Sequence, residues 1–441
     1  MKELNCIIMG AAGRDFHDFQ TFFRDHPAFR VRCFTAHQIP FIEERVFPRS
    51  LAGEGYAADI PIFPEERLAE LIRELDIDFV FLSYSDLSHA EVMHKASIVQ
   101  AAGASFALLG PRHTELASSR PVISVTAART GAGKSPLSRA LASHLAGRGI
   151  SVGIVRHPMP YGDLTRQALQ CFRTAADLDA AACTVEEREE YEPYLDLGLR
   201  IYAGVDYRAI LRAAEAESDV ILWDGGNNDG AFFRAGLKVV VLDALRPGDE
   251  LSYYPGETNL RRADVLVINK VAEASADAVD RIRHHARDAN PRATVIEANL
   301  EVHVDAPGRI SGKRVLVVED GPTLTHGGMA FGAGTIAARR FGAAQLLDPR
   351  PHATGTIAET FARYPHLTRV LPALGYSADQ RRELADTIRA TAPDLVVDGS
   401  PAHLEQLLDL DVPVVNVTYE FAQAAGPPLE DIVDRFVETH G

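Results

Sequence analysis

Residues 128–135 read ARTGAGKS. A lysine and a hydroxyl residue behind two spaced glycines form a combination that grips a nucleotide's phosphates. The amides of the turn and of the following helix N-terminus face the anion, the ammonium meets the β- and γ-oxygens, and the hydroxyl ligates magnesium. The pattern G-x-x-x-x-G-K-[ST] holds apart from its first glycine. Ala128 stands there, which is tolerated where the backbone needs no positive φ. Thr130, Gly131, Ala132, Gly133, Lys134 and Ser135 are therefore the expected contacts, with ATP and magnesium as ligands. Arg129, second in the loop, has three open readings: reaching a dimer partner's phosphates, serving its own site, or standing solvated.

A metal-holding carboxylate belongs at the end of a neighbouring buried strand. In DVILWDGGNND, Asp224 follows four apolar residues and is expected to hold magnesium with Ser135. In VLVINKVAEAS, Asn269 and Lys270 match the start of the guanine-reading N-K-x-D pattern, but Ala272 stands where its aspartate belongs. These two residues are read as flanking a base, with ATP preferred to GTP.

Three polar stretches supply candidate acceptor groups. IVRHPMPYGDL carries Arg156, His157, Tyr161 and Asp163. DALRPGDELSYYPGETNL carries Asp243, Arg246, Asp249, Glu250 and Glu257, and is long for a simple connection. VVEDGPTLTHGGMAFGAG carries Glu319, Asp320, Thr323, Thr325, His326, Gly327 and Gly328, with Gly332 and Gly334 beyond. Each residue alone reads equally as a cap or surface group; together they predict a polyanion pocket. In IIMGAAGRDFHDF, the full dinucleotide fingerprint is incomplete, so Gly10, Gly13 and Arg14 are read as a small-anion or second-substrate site.

Short apolar runs such as PVISVTA, DVILWD and KRVLVVED alternate with amphipathic stretches such as LSRALASHLAG. This pattern predicts an α/β chain with parallel sheets covered on both faces. LGPRHTELASSRP and VDAPGRISGK break it. The expected division is a Rossmann-like α/β domain over 1–120, a P-loop NTPase domain over 121–304, and a C-terminal α/β domain over 305–441 that packs on the central sheet or folds alone. A formal net charge of −16 argues against nucleic acid and anionic membranes as partners. The four cysteines form no close pair, and no apolar run spans a membrane, so a cytoplasmic protein is expected.

RTGAGKSPLSR, WDGGNND, LRPGDELSYYPGETNLRRADVLVINK and GKRVLVVEDGPTLTHGGMAFGAG resemble the cyclic 2,3-diphosphoglycerate synthetases and their bacterial relatives. The N-terminal MGAAGRDFHDF fits too, so the resemblance covers most of the chain. It implies an ATP-dependent ligase that phosphorylates a small phosphorylated acid and closes an intramolecular phosphoanhydride. Lys134 and Ser135 would form its cradle, Asp224 its metal carboxylate, and His326, Gly327 and Gly328 its Gly-rich loop. Lys134, Arg129, Arg156 and His326 would neutralise charge, and Gly10, Gly13, Arg14, His157 and Arg246 would hold the acceptor. A homodimer is expected from P-loop proteins generally. The alternative is a nucleotide switch or chaperone-like regulator that hydrolyses ATP or GTP without making a small molecule.

Overall fold

The computed structural model describes residues 3–11, 13–37, 46–157, 164–226, 229–325, 327–374, 378–401 and 404–440. The N-terminal unit is built on a sheet ordered Val46–Phe47, Ile60–Pro64, Phe29–Ala36, Leu4–Met9, Phe79–Leu82, Ser105–Ala107. Its pairings are parallel except at the short edge strand Val46–Phe47. Successive side chains of a strand point to opposite faces. Accordingly Cys6 and Ile8 join Phe16, Phe19 and Phe34 on one side, while Ile7 and Met9 join Leu68, Leu71 and Val92 on the other. Burial on both faces is what the unbroken apolar run LNCIIM requires.

Among the described residues, a second sheet of thirteen strands runs through the rest of the chain. Val122–Ala127 lies at the middle of its first half, between Val220–Asp224 and Leu237–Asp243, with Val265–Asn269 next and then Thr294–Val304. All these pairings are parallel. The carboxyl ends of the strands therefore open onto one crevice, where ligands of doubly wound sheets bind.

The boundary expected at 304 does not separate two sheets. Thr294–Val304 pairs antiparallel with Val414–Ala425, which joins Leu395–Gly399 and Arg314–Asp320 to the same sheet. The chain then returns: the helix Leu429–His440 places Leu429, Val433 and Phe436 in the core that holds Ile123, Val125 and Leu145. His144 meets Asp434 at 2.8 Å. The expected 305–441 unit is thus an excursion from the nucleotide-binding sheet, with its last helix belonging to that sheet. Burying three large apolar side chains there contributes on the order of 5 kcal/mol.

The N-terminal unit is tied on by three kinds of contact. Leu87–Ser88 pairs antiparallel with Tyr253–Tyr254. Leu116 bridges to Phe233. The His17 ring stacks on Phe232 with centroids 4.1 Å apart. No helix among the described residues is long and apolar enough to cross a membrane.

Candidate active site

The strand Val122–Ala127 runs into the turn 128–133, and the helix Lys134–Gly147 begins at the lysine. Gly131 and Gly133 adopt φ of +78° and +106°, which a side chain would resist. Space is limiting as well: a Cβ on Gly133 would lie 2.2 Å from Asn269 Nδ2.

The turn is held by its carbonyls. Arg246 Nη2 donates to Thr130 O at 2.7 Å, Lys270 Nζ to Gly131 O at 2.6 Å, and Asn269 Nδ2 to Ala132 O at 2.9 Å. In a planar trans peptide the carbonyl and the next N–H point opposite ways. Tying back the carbonyls of Thr130 and Ala132 therefore turns the amides of Gly131 and Gly133 outward, toward an anion. Asp243, ending its strand, anchors both cations: its Oδ2 lies 2.8 Å from Lys270 Nζ and 2.7 Å from Arg246 Nη2. Burial pushes the Asp243 carboxyl up, but Lys270 and Arg246 outweigh it and hold the group below its ordinary range. Burial lowers the Lys270 amine, partly offset by Asp243.

These contacts correct three expectations. Asn269 and Lys270 brace the phosphate turn from behind instead of flanking a base. Arg246 spends its guanidinium on Asp243, Thr130 O and Gly327 O, and so is a scaffold rather than a group presented to an acceptor.

Lys134 opens the helix, where burial lowers its amine and the charges of Asp224 and Asp86 oppose that shift. Ser135 follows in the first turn. Asp224 is fully buried at the end of its strand. Its Oδ1 accepts the Ser138 hydroxyl at 2.9 Å, and its Oδ2 accepts Tyr194 and Arg156. Arg156 also pairs with Glu190 and is only 2% exposed. The expectation that Arg156 faces an acceptor is therefore corrected: it neutralises Asp224 within the core.

Arg129 is buried, not solvated, and is paired within the chain. Its Nε donates to Asp86 Oδ1 at 2.7 Å, its Nη1 to Asp249 Oδ2 at 2.5 Å, and its Cζ lies 3.6 Å from the Tyr253 ring centroid. Asp86 Oδ2 also accepts the Thr130 N–H at 3.2 Å. Asp86 and Tyr253 were not among the residues singled out from sequence. Asp249 was, as one carboxylate among several.

The N-terminal glycines are packed, not vacant cradles. Asp15 Oδ1 accepts the amides of Gly13 at 3.1 Å and Phe16 at 2.7 Å, so the chain's own carboxylate holds the position read as a small-anion site. A Cβ on Gly10 would meet Asp15, and one on Gly13 would lie 1.9 Å from His157 Cε1. Arg14 donates to Gly230 O at 3.2 Å and lies 3.9 Å from Asp18. His157 itself lies 3.2 Å from Asp229. Gly13, Arg14 and His157 thus lie at the seam between two units, and Gly10 packs within the N-terminal unit against Asp15.

In the third polar stretch, Glu319 takes the amides of Gly332, Gly334 and Thr335 at 2.9, 3.1 and 2.7 Å. Gly327 packs against Thr323 O and Thr130 O, and Gly328 is open with φ +65°. A Cβ on Gly131 would come 3.1 Å from Thr323 Cγ2, so this loop lies directly on the phosphate turn. His326, Tyr161 and Asp163 lie outside the described residues.

No family model matches the chain. It is 53% identical over 437 residues to "Arginine synthetase ArcE" of Thermococcus kodakarensis, covering 99% of this chain and 98% of that protein. The chain belongs to this arginine synthetase family. Over a shorter stretch of 188 residues it is 34% identical to a tetraacyldisaccharide 4'-kinase of an Anaeromyxobacter species, covering 40% of this chain and 48% of that protein. A crystal structure of LpxK from Aquifex aeolicus in complex with ATP is similar at a TM-score of 0.44 and 12% identity, covering 84% of this chain and 99% of that one. Within the arginine synthetase family, then, this member carries a phosphate-binding turn braced by Asp243, Lys270, Arg246 and Asn269.

Proposed function

We propose that the chain is an ATP-dependent synthetase that makes arginine. The observation that carries this reading is the braced turn, in a chain 53% identical along nearly its whole length to an arginine synthetase. A synthetase that makes arginine must complete a guanidinium carbon. A turn shaped for β- and γ-phosphates favours one route: the γ-phosphoryl of ATP passes to the oxygen of a ureido carbon, giving ADP. That oxygen then leaves as phosphate when ammonia attacks the carbon, and the ammonia nitrogen becomes the last nitrogen of the guanidinium. Such transfer asks the protein for positioning and charge compensation more than for a nucleophile. The outward amides of Gly131 and Gly133 and the Lys134 ammonium do this for the phosphates. Magnesium, when bound, would offset phosphate charge. Ser135, in the first turn of its helix, and Asp224, at the end of the neighbouring strand, are the residues that would hold it.

A second reading, resting on the resemblance of the motif strings to those of the cyclic 2,3-diphosphoglycerate synthetases, keeps the same phosphoryl transfer but gives it a phosphate acceptor that closes an intramolecular anhydride. One experiment separates the two. The protein is incubated with MgATP, ammonium and citrulline labelled with ¹⁸O in the ureido group. Arginine is read by chromatography, and the label by mass spectrometry of the released phosphate. Arginine with labelled phosphate supports the synthetase. ATP turnover without arginine refutes it, and a parallel incubation with 2,3-diphosphoglycerate, followed by phosphorus NMR, reads the cyclic anhydride.

A further inference from the structure

We propose that Asp86, Asp249 and Tyr253 form the guanidinium site of the arginine-forming centre, and that Arg129 occupies this cage in competition with the product. The inference rests on the arginine reading and names where that chemistry takes place.

The cage is made of what a guanidinium needs. Two carboxylates meet its N–H groups, Asp86 at 2.7 Å and Asp249 at 2.5 Å, and an aromatic face lies 3.6 Å from its carbon. Charge-assisted forks and ring stacking are the contacts that suit a planar cation of this kind. The Asp86 side is closed and the Asp249 side more open, with side-chain exposures of 9% and 28%. A ligand can therefore enter past Asp249.

The cage also shares a wall with the phosphate turn. Asp86 uses one oxygen on Arg129 and the other on the Thr130 amide, and its charge acts on Lys134. A guanidinium carbon held by these groups lies beside the phosphate-binding amides, where phosphoryl transfer to a ureido oxygen has to occur. Asp86 is kept at φ +58°, a conformation uncommon for a residue with a side chain. The two carboxylates come from different units, Asp86 from the loop after Phe79–Leu82 and Asp249 from the turn Asp249–Leu251. The site is complete only when the units are docked.

The exchange has a chemical sense. A ureido group is neutral, while the carbon gains positive charge as ammonia adds and phosphate leaves. Two carboxylates stabilise that developing charge more than the starting group, which favours the forward step. When the reacting group fills the cage, Arg129 is released next to the phosphates, where a cation lowers the repulsion opposing transfer.

The test is calorimetry on the full chain with L-arginine and with ethylguanidinium as probes. Arg129→Ala is expected to raise arginine affinity about tenfold or more, because an intramolecular competitor is removed. In the Arg129→Ala background, where no competitor weakens along with the ligand, adding Asp249→Asn or Tyr253→Leu is expected to lower arginine affinity about tenfold or more, while affinity for a nonhydrolysable ATP analogue with magnesium stays within about twofold of that of Arg129→Ala. If Arg129 only ties the units together, its removal gives no gain in arginine affinity, and that result overturns the proposal. Arginine binding that Asp249→Asn leaves unchanged in the Arg129→Ala background overturns it too, even where wild type makes arginine. If the cage variants shift binding as stated but no arginine is formed from citrulline, the synthetase reading fails and the cation site stands. Thermal melts check folding, and Tyr253→Leu carries the test alone should Asp249→Asn not fold.

Discussion

Replacing Asn269 with alanine separates a brace from a base reader. The side chain is fully buried. Its Nδ2 donates to Ala132 O at 2.9 Å, and its Oδ1 accepts the Lys270 N–H at 2.9 Å. Truncation deletes both bonds and leaves a buried carbonyl and a buried amide without them. Two such bonds contribute about 2 kcal/mol in net terms, and unsatisfied buried groups add to the loss. The cost falls on the turn itself, because Nδ2 lies where a Cβ of Gly133 would go and fixes the path of the chain there. A bound triphosphate needs the amides turned outward, so the turn must be re-formed at binding. If about 1.4 kcal/mol of the loss is felt there, nucleotide affinity drops about tenfold. The expected outcome of calorimetry is a similar rise in Kd for MgATP and MgGTP, with chemical denaturation showing a stability loss of about 2 kcal/mol. A brace is blind to the base. A change of about tenfold in the ratio of ATP to GTP affinity would refute this account and return Asn269 to the role of base reader, and an unchanged Kd for both would show that the turn does not depend on it.

Lys134→Met is expected to slow ATP turnover by about a hundredfold or more while shifting the melting temperature little, since burial already disfavours the ammonium; phosphate release and circular dichroism read the two effects. Gly13→Ala places a methyl 1.9 Å from the His157 ring atom and is expected to cost about 1–3 kcal/mol at the seam between units, seen as a lower urea midpoint; an unchanged midpoint would mean that His157 gives way freely. Asp18→Asn is expected to expose a hidden pH dependence. Burial drives His17 from 6.5 down to about 3, so the stability due to its neutral form is full above pH 6.5 and is lost as pH falls. Burial lifts Asp18 from 3.8 to about 6, so its contribution is full below pH 3.8 and is lost as pH rises through 6. The two slopes, each about 1.4 kcal/mol per pH unit, oppose one another between pH 6 and 4. With Asp18 removed, the His17 slope stands alone, and the variant should lose about 3 kcal/mol more than wild type over that interval in denaturant titrations. A variant whose pH profile parallels that of wild type would show that the two groups do not offset one another.

The phosphate turn was legible because its chemistry is local: strand, glycines, lysine and serine lie within one short run. What closes the site is not local. Asp86 reaches Arg129 across 43 residues and Asp249 across 120, and only the docking of two units brings them together. The returning helix shows the same limit: LEDIVDRFVETH displays an apolar face, but no residue in it states which sheet that face will cover. Glycine-rich turns misled for a further reason. Glycine tells where amides can converge on an anion and says nothing about whose anion it is. At Gly13 it is Asp15, and at Gly332 and Gly334 it is Glu319. The phosphate turn carries the opposite signature: among the described residues Asp86 takes the Thr130 amide, while Arg246, Asn269 and Lys270 donate to the turn's carbonyls. A carboxylate on the amides satisfies a turn, whereas a donor on the carbonyls aims its amides outward. By that criterion the amides of Gly131 and Gly133 are prepared for an external phosphate, and those of the N-terminal glycines are not.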